Sequence, residues 1–197
     1  MTEPRRFFLR TFGCQMNEHD SERIAGLLEQ AGYVRATDAA DADVVVINTC
    51  SVRERAEDKL YTRLGELRVL GEARGRRPVV AVAGCVAQQE GDRLLARSHG
   101  VADVIVGTQA LRQLPAMIDA ASADRNRRSI LPMVDLQTYD DVTFPAGVAR
   151  RSDTVRAWVT ISEGCNEFCS FCVVPYTRGH ERMRSRADIL AEVREAV

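Results

Sequence analysis

Val44-Val45-Val46-Ile47-Asn48-Thr49-Cys50 is a run of four β-branched residues that turns polar at once and stops on a cysteine. Apolar residues in succession, without polar alternation, mark a strand buried on both faces. Such strands belong to parallel sheets, whose two faces are covered by helices. The pattern recurs on either side. Phe7 to Phe12 is a strand interrupted by Arg10 and ended by Gly13 and Cys14. Pro78 precedes a third run, Val79 to Ala83, ended by Gly84 and Cys85. Val104, Ile105 and Val106 make a fourth strand, stopped by Gly107.

Helical periodicity fills the intervals. Ile24, Leu27, Leu28 and Ala31 fall at i, i+3, i+4 and i+7 and predict a helix closed by Gly32. A charged helix from about Arg53 to Leu70 places Ala56, Leu60, Leu64 and Leu67 on one face. Another is expected near Asp92 to Arg97, and Leu111, Leu114, Met117 and Ile118 mark a last one. Strands alternating with helices imply an α/β fold, an N-terminal parallel sheet in an αβα sandwich with right-handed crossovers.

The cysteines follow the strands. Cys14, Cys50 and Cys85 each come just past the C-terminal end of one. In a parallel sheet those ends share an edge, the edge at which such folds bind ligands. Three converging thiolates suit an iron–sulfur cluster with one open iron. The plainer alternative is that each is a small buried hydrophobe, as free cysteines often are.

A second set lies far along the chain, in Cys165-Asn166-Glu167-Phe168-Cys169-Ser170-Phe171-Cys172. Three thiolates on one short loop can ligate three corners of an iron–sulfur cube, and no fourth cysteine follows. A structural zinc site would need a fourth ligand, for which only His180 is near enough. A disulfide framework would need an oxidising compartment. Before the loop, Val155 to Ser162 alternates like a strand, with Ala157, Val159 and Ile161 on one face, and Gly164 frees the backbone. After it, Ser185 is a candidate N-cap with Asp188 three residues on, followed by a stripe of Ile189, Leu190, Val193 and Val197. Strand, cysteine loop, helix is the order of the first βα unit of a barrel whose chemistry sits at its C-terminal strand ends. One unit cannot close a barrel, so a truncated chain is expected.

The totals agree. The chain has 197 residues, 45% hydrophobic and 28% charged, with a net charge of −1, which is a globular composition. A neutral balance gives no global case for nucleic acid. Arg5 and Arg6 precede only Phe7, Phe8 and Leu9 as an apolar run, too short for a signal peptide. The longest largely apolar stretch, Val79 to Ala87, cannot span a bilayer. Six cysteines without an export signal point to a reducing cytosol. The expected division is a first domain over residues 1–121, a linker over 122–152 and a second, truncated domain over 153–197. The linker should hold one short strand at Ile130 to Val134, and its arginines, Arg150 and Arg151 among them, read as solvated.

Four stretches together resemble one family. Thr11-Phe-Gly-Cys-Gln-Met-Asn17, Ile47-Asn-Thr-Cys50, Ala83-Gly-Cys-Val-Ala-Gln88 and Gly164-Cys-Asn-Glu-Phe-Cys-Ser-Phe-Cys-Val-Val-Pro-Tyr-Thr-Arg-Gly179 look like the radical S-adenosyl-L-methionine (SAM) methylthiotransferases. The form Cys14-Gln-Met-Asn17 is most like the branch that acts on isopentenyl-adenosine in tRNA. The resemblance implies two 4Fe–4S clusters. Cys165, Cys169 and Cys172 would hold the one that binds SAM, whose reductive cleavage gives the radical that attacks carbon-2 of the adenine. Cys14, Cys50 and Cys85 would hold an auxiliary cluster that carries the sulfur to be delivered. It implies a monomer in the cytoplasm with tRNA as partner (the anticodon stem-loop, at position 37), no membrane, and an electron donor such as flavodoxin or ferredoxin. Two other functions fit the same residues: a methylthiotransferase for threonylcarbamoyl-adenosine or a ribosomal protein, and a non-catalytic iron–sulfur protein.

Overall fold

The computed structural model describes residues 3–52, 54–124, 132–137, 147–151 and 153–196. Six strands form one parallel sheet in the order β2-β1-β3-β4-β5-β6. They are β1 (Arg6–Phe12), β2 (Val34–Arg35), β3 (Val44–Thr49), β4 (Val79–Ala83), β5 (Val104–Val106) and β6 (Met133–Asp135). Helices α1 (Gln15–Gln30), α2 (Glu54–Arg74), α3 (Cys85–Arg97) and α4 (Leu114–Asp124) connect them.

The β-branched runs are central strands for the reason given above. Every residue of β3, β4 and β5 is buried. Alternate residues of each strand feed two separate cores. Val44, Val46, Ala81, Val104 and Val106 pack with Phe7, Ile24, Leu28, Leu114 and Ile118 under α1 and α4. Val45, Ile47, Val80, Val82 and Ile105 pack with Leu60, Leu64, Leu67, Val86 and Leu94 under α2 and α3. Ala56, Leu60, Leu64 and Leu67, the expected apolar face of α2, are all buried.

Three elements differ from expectation. Helix α3 begins at Cys85 rather than near Asp92, with Cys85, Val86 and Ala87 already buried. Gly91 interrupts it at φ 35°, and the break splits the helical period that the sequence displays. Strand β2 is two residues long and too short to show a pattern. Strand β6 lies within the expected linker, and it completes the sheet by pairing with β5 in the register Val104↔Met133. Ile130 and Leu131, included in the expected strand, lie outside the described residues.

The stretch 155–161 is not a strand. Only β7 (Ser162–Glu163) is, and it pairs antiparallel with β8 (Arg182–Met183). A strand exists through its ladder of backbone hydrogen bonds, and among the described residues the stretch 155–161 shares with β8's end only the backbone bond from the Arg184 N–H to the Ile161 carbonyl at 3.0 Å. Alternation in the side chains cannot supply a ladder, and Val155 stays 90% exposed. The unit is also more elaborate than strand, loop, helix. A short helix α5 (Val174–Arg178) and β8 intervene before α6 (Arg186–Glu195). Helix α6 starts as expected, the Ser185 hydroxyl accepting from the Asp188 backbone N–H at 3.1 Å. Arg150 and Arg151 are not free in solvent. Arg150 pairs with Glu29 on α1 at 3.0 Å, and Arg151 with Glu192 on α6 at 2.6 Å.

Ile105 is fully buried at the centre of the core under α2 and α3. Truncating it to Ala leaves a cavity in close-packed surroundings, and the expected loss is about 2–5 kcal/mol in urea unfolding. A loss below about 1 kcal/mol would show that this side of the sheet is not a packed core.

Candidate metal centres

The register fixes where the first three cysteines meet. Phe12 pairs with Thr49 across β1 and β3, and Asn48 with Ala83 across β3 and β4. The three strands therefore end together. Cys14 is the N-cap of α1, Cys50 follows β3 directly, and Cys85 opens α3. Gly13 packs so closely that a Cβ on it would lie 2.9 Å from the Cys50 Cβ. Cys50 is near enough to Cys85 for its charge to raise the pKa of the Cys85 thiol. All six cysteines of the chain are free thiols.

A polar floor lies beneath this edge. Asn48 is fully buried and donates through Nδ2 to the Asn17 carbonyl at 2.8 Å and to the Ser21 hydroxyl at 2.9 Å. Its Oδ1 accepts from Asn17 Nδ2 at 3.3 Å. Ser21 in turn meets the Thr11 hydroxyl at 2.7 Å. These bonds lock α1 to the ends of β1 and β3, and so fix Cys14 relative to Cys50. Gly84 is required by the same floor. At φ 95°, a Cβ there would stand 2.3 Å from Asn48 Oδ1 and 2.7 Å from the Thr49 carbonyl.

The second triad sits on the loop between β7 and α5. Gly164 brings this loop against the returning chain, so closely that a Cβ would lie 2.1 Å from the His180 carbonyl oxygen. Cys165 N–H donates to the Gly179 carbonyl at 3.1 Å, and Cys172 N–H to the Cys169 carbonyl at 3.0 Å. Phe168 adopts φ 44°, a left-handed conformation rare outside glycine, and stacks edge-on against Tyr176 and His180, each 6.0 Å away between ring centres. Cys169 is exposed, while Cys165 and Cys172 are half-buried. His180, the one candidate for a zinc ligand, has its Nδ1 3.1 Å from Asn166 Oδ1.

Helix α5 carries the one feature that sequence reasoning left unassigned. Arg178 is 2% exposed and pairs with Asp20 at 2.6 Å and Glu163 at 3.2 Å. Its charge also acts on the Cys85 thiol, and its Nε has no hydrogen-bond partner. Burial pushes the Cys85 pKa up, and the charge of Arg178 opposes that rise. Burial works against the Arg178 charge too, but Asp20, Cys85 and Glu163 outweigh it and hold its pKa well above the ordinary guanidinium range. Arg178 stands in the quoted stretch that ends at Gly179, but nothing in its spacing foretells a buried ion.

Among the described residues, no three His, Cys, Asp or Glu side chains close around a point that one ion would fill. A four-iron cube spreads its ligands over separate iron corners, whereas one zinc ion gathers all of its ligands about itself. The donors fit such a cube. They are soft sulfurs, the Cys50 Sγ accepts from the Val52 backbone N–H at 3.4 Å, and a buried cation with an orphaned N–H stands at Cys85. Hydrogen bonds and positive charge favour thiolate over thiol.

A doubly wound sheet with a cysteine at three adjacent strand ends, joined to a three-cysteine loop, defines an α/β class of protein with two cysteine triads. Comparisons narrow it. Residues 6–107 match the model of a family described as Uncharacterized protein family UPF0004. A tRNA-2-methylthio-N(6)-dimethylallyladenosine synthase of Salinispora arenicola is 48% identical over all of this chain and 38% of its own length. Proteins of the same name from Sphingopyxis alaskensis and Geobacter metallireducens are 46% and 44% identical, over 42% and 43% of their lengths. This chain thus spans about two fifths of the curated relatives it matches. A solved structure of the radical S-adenosylmethionine methyltransferase TsrM from Kitasatospora setae, with cobalamin and a 4Fe–4S cluster bound, aligns with 98% of this chain and 46% of its own. The TM-score is 0.59 at 16% identity, a likeness of fold. The chain belongs to the UPF0004 family.

Gly84→Ala should lower stability by about 2–3 kcal/mol, because the new methyl meets the Asn48 side chain in a backbone conformation that L residues avoid. A urea midpoint equal to that of the parent would mean that the floor beneath the cysteines tolerates displacement.

Proposed function

We propose that this chain is the cluster-bearing part of a tRNA methylthiotransferase that acts on carbon-2 of isopentenyl-adenosine at position 37. The observation that carries the reading is the identity of 44–48% with synthases of that name, spread over 98–100% of this chain. Both cysteine triads lie inside the matched region. Cys165, Cys169 and Cys172 would hold a 4Fe–4S cluster and leave one iron to bind SAM. Cys14, Cys50 and Cys85 would hold the auxiliary 4Fe–4S cluster. When bound, the two groups supply reductive cleavage of SAM and the sulfur for transfer.

The chain's own residues do the rest. The Asn17–Asn48–Ser21 floor holds Cys14 and Cys50 at one spacing. Gly164 and the β7–β8 pair hold the mouth of the second loop. The Phe168, Tyr176 and His180 rings screen one side of that loop. The partner is tRNA, met at its anticodon stem-loop, with a flavodoxin or ferredoxin as electron donor and the monomer as the working form, in the cytoplasm. Among the described residues no helix is long and apolar enough to cross a membrane. The division into residues 1–121, 122–152 and 153–197 belongs to the same reading, with β6 added to the sheet of the first unit.

Anaerobic reconstitution tests the ligand sets. The chain should take up two four-iron clusters. Changing Cys165, Cys169 and Cys172 to Ala should leave one, and changing Cys14, Cys50 and Cys85 instead should leave the other, by iron and sulfide counting and Mössbauer spectra. Loss of all iron from either triple variant, with the fold intact by circular dichroism, would refute the assignment of the triad left in place.

A further inference from the structure

Arg178 touches one element from each part of both cysteine sites. Asp20 lies on α1, the helix that Cys14 caps. Glu163 lies on β7, two residues before Cys165. Cys85 is itself one of the sheet-edge cysteines. The helix that carries Arg178 is pinned to the sheet from below. The Thr108 hydroxyl donates to the Thr177 carbonyl, and Gln109 Nε2 donates to the Arg178 carbonyl at 2.8 Å. Even the turn after it is tight, since a Cβ on Gly179 would stand 2.3 Å from Gln109 Nε2.

Arg178 is buried with two carboxylates, Asp20 and Glu163, each at most 5% exposed, and Asp20 also meets Arg23 at 3.9 Å. The Arg178 Nε–H has no hydrogen-bond partner, and the guanidinium charge acts on Cys85, whose thiolate would be an anionic cluster ligand. A planar fork can serve three partners at fixed angles, which a lysine ammonium cannot.

Resting on the assignment of Cys14, Cys50 and Cys85 to a four-iron cluster, we propose that Arg178 is a positioning residue that ties the two cysteine triads together and raises the reduction potential of the sheet-edge cluster. Cluster potentials follow net charge, hydrogen bonds to the sulfurs and exposure to solvent. A buried cation beside the Cys85 sulfur favours the state with one more electron. Asp20 and Glu163 offset part of that effect and aim the fork. The same ion pairs join α1 to β7, so the separation of the two cysteine sites is set by one side chain.

The test is a redox titration of the sheet-edge cluster alone, in the 197-residue chain with Cys165, Cys169 and Cys172 changed to Ala. Arg178→Gln should move the midpoint to more negative potential and speed iron loss to a chelator by about tenfold, the scale of one charge-assisted hydrogen bond. Glu163→Gln should move the midpoint the other way, since it removes a negative charge and leaves the cation. Thr108→Val, which loosens the same docking contact without changing charge, should leave the midpoint in place. A clamp with no electrostatic role would shift neither charge variant, or both in one direction, and either result overturns the proposal. If Arg178→Gln fails to hold iron, the sign of the Glu163→Gln shift decides. If the triple-alanine parent itself binds no iron, the cluster assignment fails and takes this inference with it. If the parent binds iron and the midpoints stay put, only the role of Arg178 is refuted.

Discussion

Parallel pairing in register is the constraint on which everything else hangs. With Phe12 opposite Thr49 and Asn48 opposite Ala83, β1, β3 and β4 finish at one level. Each chain segment then has to leave the sheet at the same edge, within a residue or two. Residues separated by 71 positions in sequence, such as Cys14 and Cys85, are thereby delivered to one place. A slip of one residue in β3 would turn Val44 and Val46 toward α2 and α3, exchange the two cores and carry Asn48 away from Asn17. Hydrophobic burial on both faces thus protects the geometry of the cysteines, although no cysteine contributes much to that burial.

Why three cysteines rather than a zinc site or a bridge follows from the same edge. Two thiols at strand ends are poor disulfide partners unless their Cβ vectors meet, and the six cysteines here are free. The floor beneath them is polar, fully paired and rigid: Asn48 alone makes three hydrogen bonds to α1. A rigid polar floor under soft ligands suits a cofactor that must not shift as its charge changes. It also explains the glycines at 13 and 84, where backbone approaches side chain too closely for a Cβ.

Much of this was legible before any coordinates. Continuous apolar strands and 3.6-residue stripes are strong signals, and β1, β3, β4, β5, α1 and α2 lie where they point. What escaped detection is what depends on partners distant in sequence. Strand β2 is too short to have a period, and β6 was expected only as a short strand of the linker at Ile130 to Val134; both join the sheet because β1 and β5 offer free edges. Residues 155–161 have the alternation of a strand without the ladder that would make them one. Gly91 hid the first turns of α3 by breaking the helical period. For the candidate sites, the cysteines were visible because their spacing is chemical, whereas Asp20, Glu163 and Arg178 each look like ordinary surface charges in the linear sequence. Their burial is a property of the assembled fold.

That burial bears on how far the two parts of the chain are separable. The sheet has its own two cores and needs nothing from residues 153–196 to bury them. Yet α5 seats a charged side chain against α1 and α3, and a buried ion deprived of its partners is destabilising by several kcal/mol. Removing the second part would leave Asp20 accessible to water, where its charge is tolerated. Removing Asp20 would instead leave Arg178 buried beside Glu163 alone. The dependence is therefore lopsided: the two cores of the sheet draw on no residue of 153–196, whereas the loop takes its orientation from the sheet. A cysteine loop positioned in this way inherits the rigidity of a six-stranded core, and it does so through a buried cation whose charge also acts on Cys85.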